Sequence, residues 1–260
     1  MGVILIMKLT EIAMDLPYQK NEKFISIMQE NKTIEYQEVL KMDYELNWKE
    51  KRREFQLMTR CMTSMIGRIM SPIITKDCWK ILIECVSDQE YEGYHNLLGV
   101  YTIQVETNLD VFYSAADYDK KKLIIDIILR GIQKLSNNVS FELSNLTSAC
   151  VDIVNGGYIN EWLWGKMRLG KNVARIKVQH EISELNLFMS FFDQNNMSIK
   201  EELIISTIPD EWVYGKYLGQ LIKISEDTVA LIDKYGKEVA RVSKTSYSSA
   251  GSDKYARGDF

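Results

Sequence analysis

Two histidines, His95 and His180, and four cysteines, Cys61, Cys78, Cys85 and Cys150, are all this chain offers for zinc binding or thiolate and imidazole chemistry. Neither set has the spacing that such chemistry needs. His180-Glu181 opens like an HExxH helix, but position 184 is Glu184, so the second imidazole that would grip zinc from the same face is missing. His95 lies in a connection rich in Tyr and Gly and reads as a surface or structural histidine. The cysteines contain no CxxC pair. Cys61 and Cys150 fall on apolar helical stripes and Cys78 and Cys85 flank a strand-like run, so all four read as buried thiols in a reducing compartment.

Phosphate cradles and hydrolase elbows have no anchor either. Gly165-Lys166 and Gly215-Lys216 lack the upstream glycine and the following Ser/Thr of a phosphate-binding loop, and neither GxGxxG nor GxSxG occurs. General acid–base work would fall to carboxylates: Asp117 with Asp119, Glu201 with Glu202, or Glu226 with Asp227. The first of these pairs equally suits a helix start, where the macrodipole favours acid. No catalytic residue, metal or cofactor is therefore expected.

Charge narrows the partners. The net charge is −4, whereas a nucleic-acid binder presents a basic face, so nucleic acid is not the expected partner. One basic cluster, Lys49, Lys51, Arg52, Arg53 and Arg60, is interrupted by Glu50 and Glu54; pairs such as Glu50/Arg53 suggest a solvated helical surface. No apolar run approaches the length of a membrane span, and no membrane association is expected.

The clearest pattern is a near-repeat. Asn160-Glu161-Trp162-Leu163-Trp164-Gly165-Lys166 and Asp210-Glu211-Trp212-Val213-Tyr214-Gly215-Lys216 share Glu, Trp, Gly and Lys, and Leu-Gly follows each. Such self-similarity suggests a duplicated supersecondary unit. As strands, the copies would place Trp162 with Trp164, and Trp212 with Tyr214, on single faces. A glycine inside a strand suggests a bulge. Aromatic residues anchor interfaces, which makes Trp164, Lys166, Trp212, Tyr214, Lys216 and Tyr217 the candidate partner-binding residues.

Periodicity supplies the elements that must position these residues. Val3–Leu9 and the alternating Leu40, Met42, Tyr44, Leu46 and Trp48 read as strands. Phe55, Met58, Met62, Met65, Ile66 and Ile69 recur at helical spacing, and Ser71-Pro72 stops that helix. Trp79–Val86 and Val100–Thr107 read as a hairpin with a long loop. Asp117 caps a helix with Leu123, Ile124, Ile127, Ile128, Ile132 and Leu135 on one stripe. Asn145–Asn155 forms another, with Ser144 as N-cap and Gly156 after its end. Beyond Gly156-Gly157, seven runs separated by short polar turns read as an antiparallel meander.

These observations predict an α+β fold. An N-terminal part over 1–155 carries strands and two or three helices. An antiparallel part over 156–242 consists of two related halves if the near-repeat marks a duplication, and a polar tail over 243–260 is disordered. The functional expectation is a non-catalytic cytosolic interaction module, an inhibitor or immunity-type protein that binds another protein. The alternative is an enzyme whose carboxylate-based site is assembled from residues distant in sequence.

Overall fold

The computed structural model describes residues 7–30, 34–136, 138–139 and 141–245. The chain begins with β1 (Met7–Leu9), β2 (Glu11–Asp15), α1 (Glu22–Glu30) and α2 (Tyr36–Asp43). A π-helical turn, Tyr44–Trp48, leads into α3 (Lys49–Ile69). There follow β3 (Ile73–Thr75), β4 (Lys80–Val86), β5 (His95–Leu97), β6 (Val100–Glu106), α4 (Leu109–Ser114), α5 (Asp117–Ser136) and α6 (Ser144–Asn155). The remainder is β7 (Glu161–Leu169), β8 (Asn172–His180), β9 (Leu185–Phe192), β10 (Ser198–Thr207), the helical turn α7 (Glu211–Tyr214), β11 (Gln220–Lys223), β12 (Thr228–Ile232) and β13 (Glu238–Ser243). The fold is α+β, with antiparallel strands in the C-terminal part.

Two compact units share the chain. The first comprises Met1–Glu161, Gln179–Leu185 and Thr207–Val213; the second comprises Trp162–Val178, Asn186–Ser206 and Tyr214–Phe260.

The first unit is built on a sheet of order β2-β4-β6-β5. Alternation along each strand divides its faces. Ile12, Met14, Ile81, Ile83, Cys85, Tyr101, Ile103 and Val105 are buried in one apolar cluster with residues of α3, α5 and α6, α3 lying on β2 and α5 on β6. Gly131 lets α5 approach closely, since a Cβ there would lie 2.8 Å from Ile103 Cδ1. The opposite face carries Glu11, Ala13 and Asp15 on β2, Lys80, Leu82 and Glu84 on β4, and Thr102 and Gln104 on β6. Helix α5 buries Ile124, Ile127, Ile128, Ile132 and Leu135 as its stripe requires.

The second unit holds most of a sheet of order β10-β9-β8-β7 and all of the antiparallel β11-β12-β13 sheet. The two-residue Gly170-Lys171 turn, with Gly170 at φ +60°, joins β7 to β8. Gly165 sits at φ +65° inside β7. The inward-facing positions change phase there, from half-buried Trp162 and Trp164 to half-buried Met167 and buried Leu169, which is the signature of a bulge.

Four expectations are corrected. Residues 40–48 are helical: an extra residue in the π turn spaces the buried positions Val39, Asp43 and Trp48 by four and five, and the apparent period of two was coincidental. Strands β4 and β6 pair in parallel, Lys80 opposite Val100 through Val86 opposite Glu106. The hairpin turn in this stretch, Leu98-Gly99 with both residues at positive φ, joins β5 to β6 instead. The second copy of the near-repeat forms α7 while the first is strand β7, so the shared residues do not produce shared structure. Ser144 is the first residue of α6, and its cap, Leu143, makes no side-chain hydrogen bond. The N-terminal part also holds α1, α2 and α4 beyond the helices expected. The expected strand at Val3–Leu9 is described only over Met7–Leu9; of the expected tail over 243–260, Ser243 instead ends β13, and residues 246–260 lie outside the described residues.

Candidate functional site

Strand β2 ends on Asp15, a carboxylate on the polar face of the first unit's sheet that is almost fully buried. Helix α3 supplies its counter-charge. Arg52 grips Asp15 with both prongs, Nε to Oδ1 at 2.7 Å and Nη2 to Oδ2 at 2.5 Å. Gln56 Nε2 and the Leu16 amide also donate to Oδ1, at 2.9 and 2.8 Å. The carboxylate therefore accepts four bonds, and the fork geometry of the guanidinium fixes its plane. Arg52, Arg53, Gln56 and Arg60 recur along one side of α3 and, with Glu11, Ala13, Asp15, Lys80, Leu82 and Asp210, line a cavity of about 320 Å3. Lys80 Nζ pairs with Glu11 Oε1 at 2.8 Å. Arg53 is exposed and makes no ion pair among the described residues, so the Glu50/Arg53 pairing expected from the sequence does not form.

The π turn supports the Arg52 end of this site. Its register lets Tyr44 Oη accept from Arg52 Nη1 at 3.1 Å and lets Trp48 Nε1 donate to Leu16 O at 3.4 Å. Tyr18 packs edge-on against both rings. Tyr18 Oη donates to Asp43 Oδ2 at 2.5 Å, and the Asn21 amide and Asn47 Nδ2 complete the coordination of that fully buried carboxylate. Burial alone would raise the Asp43 pKa, but the bonds from Tyr18, Asn21 and Asn47 outweigh it and hold the carboxyl below the ordinary value. Burial, followed by the bond to Asp43, pushes the Tyr18 phenol up to about 12.

Asp210, on the far rim of the cavity, begins the turn that carries Trp212. The Trp212 amide donates to Asp210 Oδ1 at 2.9 Å, and the Val213 amide to Asp210 O at 2.9 Å. Arg60 Nη1 lies 2.9 Å from Glu211 Oε2, an ion pair between α3 and the turn without hydrogen-bond geometry. Burial raises the Glu211 pKa, and Arg60 opposes the rise. On this braced turn the Trp212 indole is 88% exposed.

A second polar cluster closes the core of this unit. His180 is fully buried, its amide donating to Asn160 O at 2.9 Å and its carbonyl accepting from Cys61 Sγ at 3.0 Å. Arg68 Nη2 donates to Asn160 Oδ1 at 2.5 Å, and Lys121 Nζ pairs with Glu181 Oε2 at 2.5 Å. Burial, then the charges of Arg68, Arg60 and Lys121, lower the His180 pKa to about 3. Its imidazole is therefore neutral at pH 7. All four cysteines are buried free thiols; burial pushes Cys61, Cys78 and Cys85 up to about 12 and Cys150 up to about 11.

The six residues singled out from the sequence divide between the units. Trp212 belongs to the first; Trp164, Lys166, Tyr214, Lys216 and Tyr217 belong to the second. Trp164 is half-buried on β7, and Lys166 is exposed just past the Gly165 bulge. Tyr214 is buried. Lys216 and Tyr217 come together, the ammonium 4.9 Å from the ring centre. Two of the carboxylate pairs are engaged locally. Glu201 bonds Lys177 and Ser190, and Asp227 accepts from Ser225, Thr228, Ser243 and Thr245. Among the described residues, no group of three or more His, Cys, Asp or Glu is placed to hold a metal ion. The Asp15–Arg52–Gln56 centre was missed by sequence reasoning. Its one legible signal was the basic cluster at 49–60.

In comparisons with known proteins, no family model, no curated protein and no solved structure matches this chain.

Proposed function

We propose that this protein is a non-catalytic binding module that docks another protein on the surface formed by Trp212 and the arginines of α3. The supporting observation is the exposure of Trp212 on a turn held by the Arg60–Glu211 pair and the Asp210 cap, at the rim of a cavity lined by Arg52, Arg53 and Arg60. Ordering a large apolar side chain in water without covering it yields little within a monomer. Trp and Arg on a rigid support are the residue types that dominate binding energy at protein interfaces. The finer reading is an inhibitor or immunity-type role in the cytosol, in which surface alone neutralises a partner; four buried thiols suit a reducing compartment.

The test is capture of partners from native lysate of the producing cells by immobilised wild-type protein and by Trp212→Ala, followed by calorimetry with the identified partner. A stoichiometric partner whose affinity falls by a factor of about 30 or more in the variant supports the proposal. Full affinity in Trp212→Ala and in Arg53→Glu would refute it.

The second reading, a carboxylate-based enzyme, draws on one observation: Glu11, Asp15 and Asp210 all line the cavity. Proton transfer needs a carboxylate free to exchange its partner, and Asp15 is held by four donors. That difference favours binding.

A further inference from the structure

We propose that a second copy of this chain docks along β10, extending the β10-β9-β8-β7 sheet across a two-fold axis at Glu201. Glu201 belongs to the second unit and Trp212 to the first, so docking along β10 is independent of the surface around Trp212.

Strand β10 ends its sheet: β9 flanks it on one side and no strand flanks it on the other among the described residues. At ten residues it is long for an edge, and it leaves Ile199 50% and Leu203 52% exposed. Edge strands are templates for pairing unless charge, proline or a bulge prevents it. Here the three central charges, Lys200, Glu201 and Glu202, are arranged so that they match a copy of themselves. In an antiparallel pair centred on Glu201, residue 199 faces 203 of the partner and residue 200 faces 202. That places Ile199 against Leu203 and Lys200 against Glu202, each twice by symmetry. Within one chain Lys200 Nζ lies 2.9 Å from Glu202 Oε2 and donates to Ser243 O at 2.7 Å, so the ammonium is held in place beside Glu202 and the dimer adds a second carboxylate to it, closing a ring of two cations and two anions with alternating sign. Cross-strand neighbours of this kind lie about 5 Å apart, within reach of both the apolar and the ionic pairs.

The axis brings two copies of Glu201 together, which would repel if the carboxylates pointed at each other. They are turned inward instead: Lys177 Nζ holds Glu201 Oε1 at 2.5 Å and Ser190 Oγ donates to Oε2 at 3.0 Å. Shifting the register by one residue sets Glu201 against Glu202 of the partner or Ile199 against Glu202. A shift by two sets Glu202 against itself and Lys200 against Ile204. Only the Glu201-centred register pairs charge with charge and apolar with apolar, and a one-residue slip would also exchange the faces.

Sedimentation velocity tests this with full-length protein. The wild type is expected to form a dimer below about 100 µM, within range of a small edge-to-edge interface. Lys200→Glu alone and Glu202→Lys alone each set like charges opposite one another, and each is expected to raise the dimer dissociation constant about tenfold or more. Mixed one to one, the two variants set the paired acids of one chain against the paired lysines of the other across the axis, and the mixture is expected to dimerise again. No change within a single chain reproduces that recovery. Leu203→Lys, a surface change, is expected to be monomeric with an unaltered circular dichroism spectrum. A wild type that stays monomeric, a Leu203→Lys variant that stays dimeric, or a mixture of the two charge variants that stays monomeric overturns the proposal.

Discussion

Acidification should unfold this protein through His180, and the size of the effect follows from its surroundings. The imidazole is fully buried beside three cationic side chains, Arg68, Arg60 and Lys121, and its pKa falls from the ordinary 6.5 to about 3. The folded state thus refuses a proton that the unfolded chain accepts. Stability from the neutral ring is complete above pH 6.5 and is lost as the pH falls from there toward 3. The binding polynomials of the two states give a loss of about 2 kcal/mol by pH 5 and about 3 kcal/mol by pH 4. That is a large fraction of the stability of an ordinary domain. Urea denaturation at pH 7, 6, 5 and 4 measures it, with His180→Gln as the comparison. The substitution lowers stability at pH 7 but removes the titrating group, so its profile should be flatter than the wild type by those amounts. Exposed carboxylates titrate alike in both proteins and cancel. If wild type and His180→Gln lose stability in parallel between pH 7 and 4, the buried neutral imidazole is not the acid-labile element and the reasoning fails.

Two further outcomes are expected. At the Asp15–Arg52 pair, removing the cation should cost more than removing the anion, because the Asp15 side chain is 8% exposed and that of Arg52 37%. Arg52→Met strands a buried carboxylate and should cost about 3 kcal/mol, whereas Asp15→Asn leaves a half-exposed guanidinium that water can solvate and should cost about 1 kcal/mol, both read from urea midpoints. Among the glycines, Gly219→Ala should be the severe change, since a Cβ there would lie 2.4 Å from the backbone of Ile232 and Asp233. A loss of about 3 kcal/mol or more is expected in thermal melts, against about 1 kcal/mol for Gly170→Ala, where the added carbon meets nothing and only the positive φ is penalised.

Strongly periodic segments were legible in the sequence. The stripe of α5 and the Met-rich face of α3 appear where spacing put them, because burying one helical face is what those residues share. The short polar turns after Leu169 and Phe192 likewise marked the ends of β7 and β9. What was hidden depends on partners far along the chain. The buried Asp43 is explained by Tyr18 and Asn21, more than twenty residues away, and the π turn that follows it disguised a helix as a strand. Lys121 sits in a run of three lysines that reads as a solvated face, yet it is buried against Glu181, sixty residues on. The proposed docking surface was half visible. Trp212 stood out by type, but the feature that makes it available, a turn braced by Arg60, required coordinates. The near-repeat did not foretell shared structure, since its first copy is strand and its second a helical turn.

The division of the chain has a consequence for biosynthesis. The first unit ends with Thr207–Val213, after most of the second unit's first sheet has been encoded. A ribosome therefore cannot release that unit complete until Val213 has emerged, and the segment bearing Trp212 is its last piece to arrive. Nascent chains stalled short of that point would carry Arg60 without its Glu211 counter-ion, which makes the tryptophan turn a mark of a completed first unit.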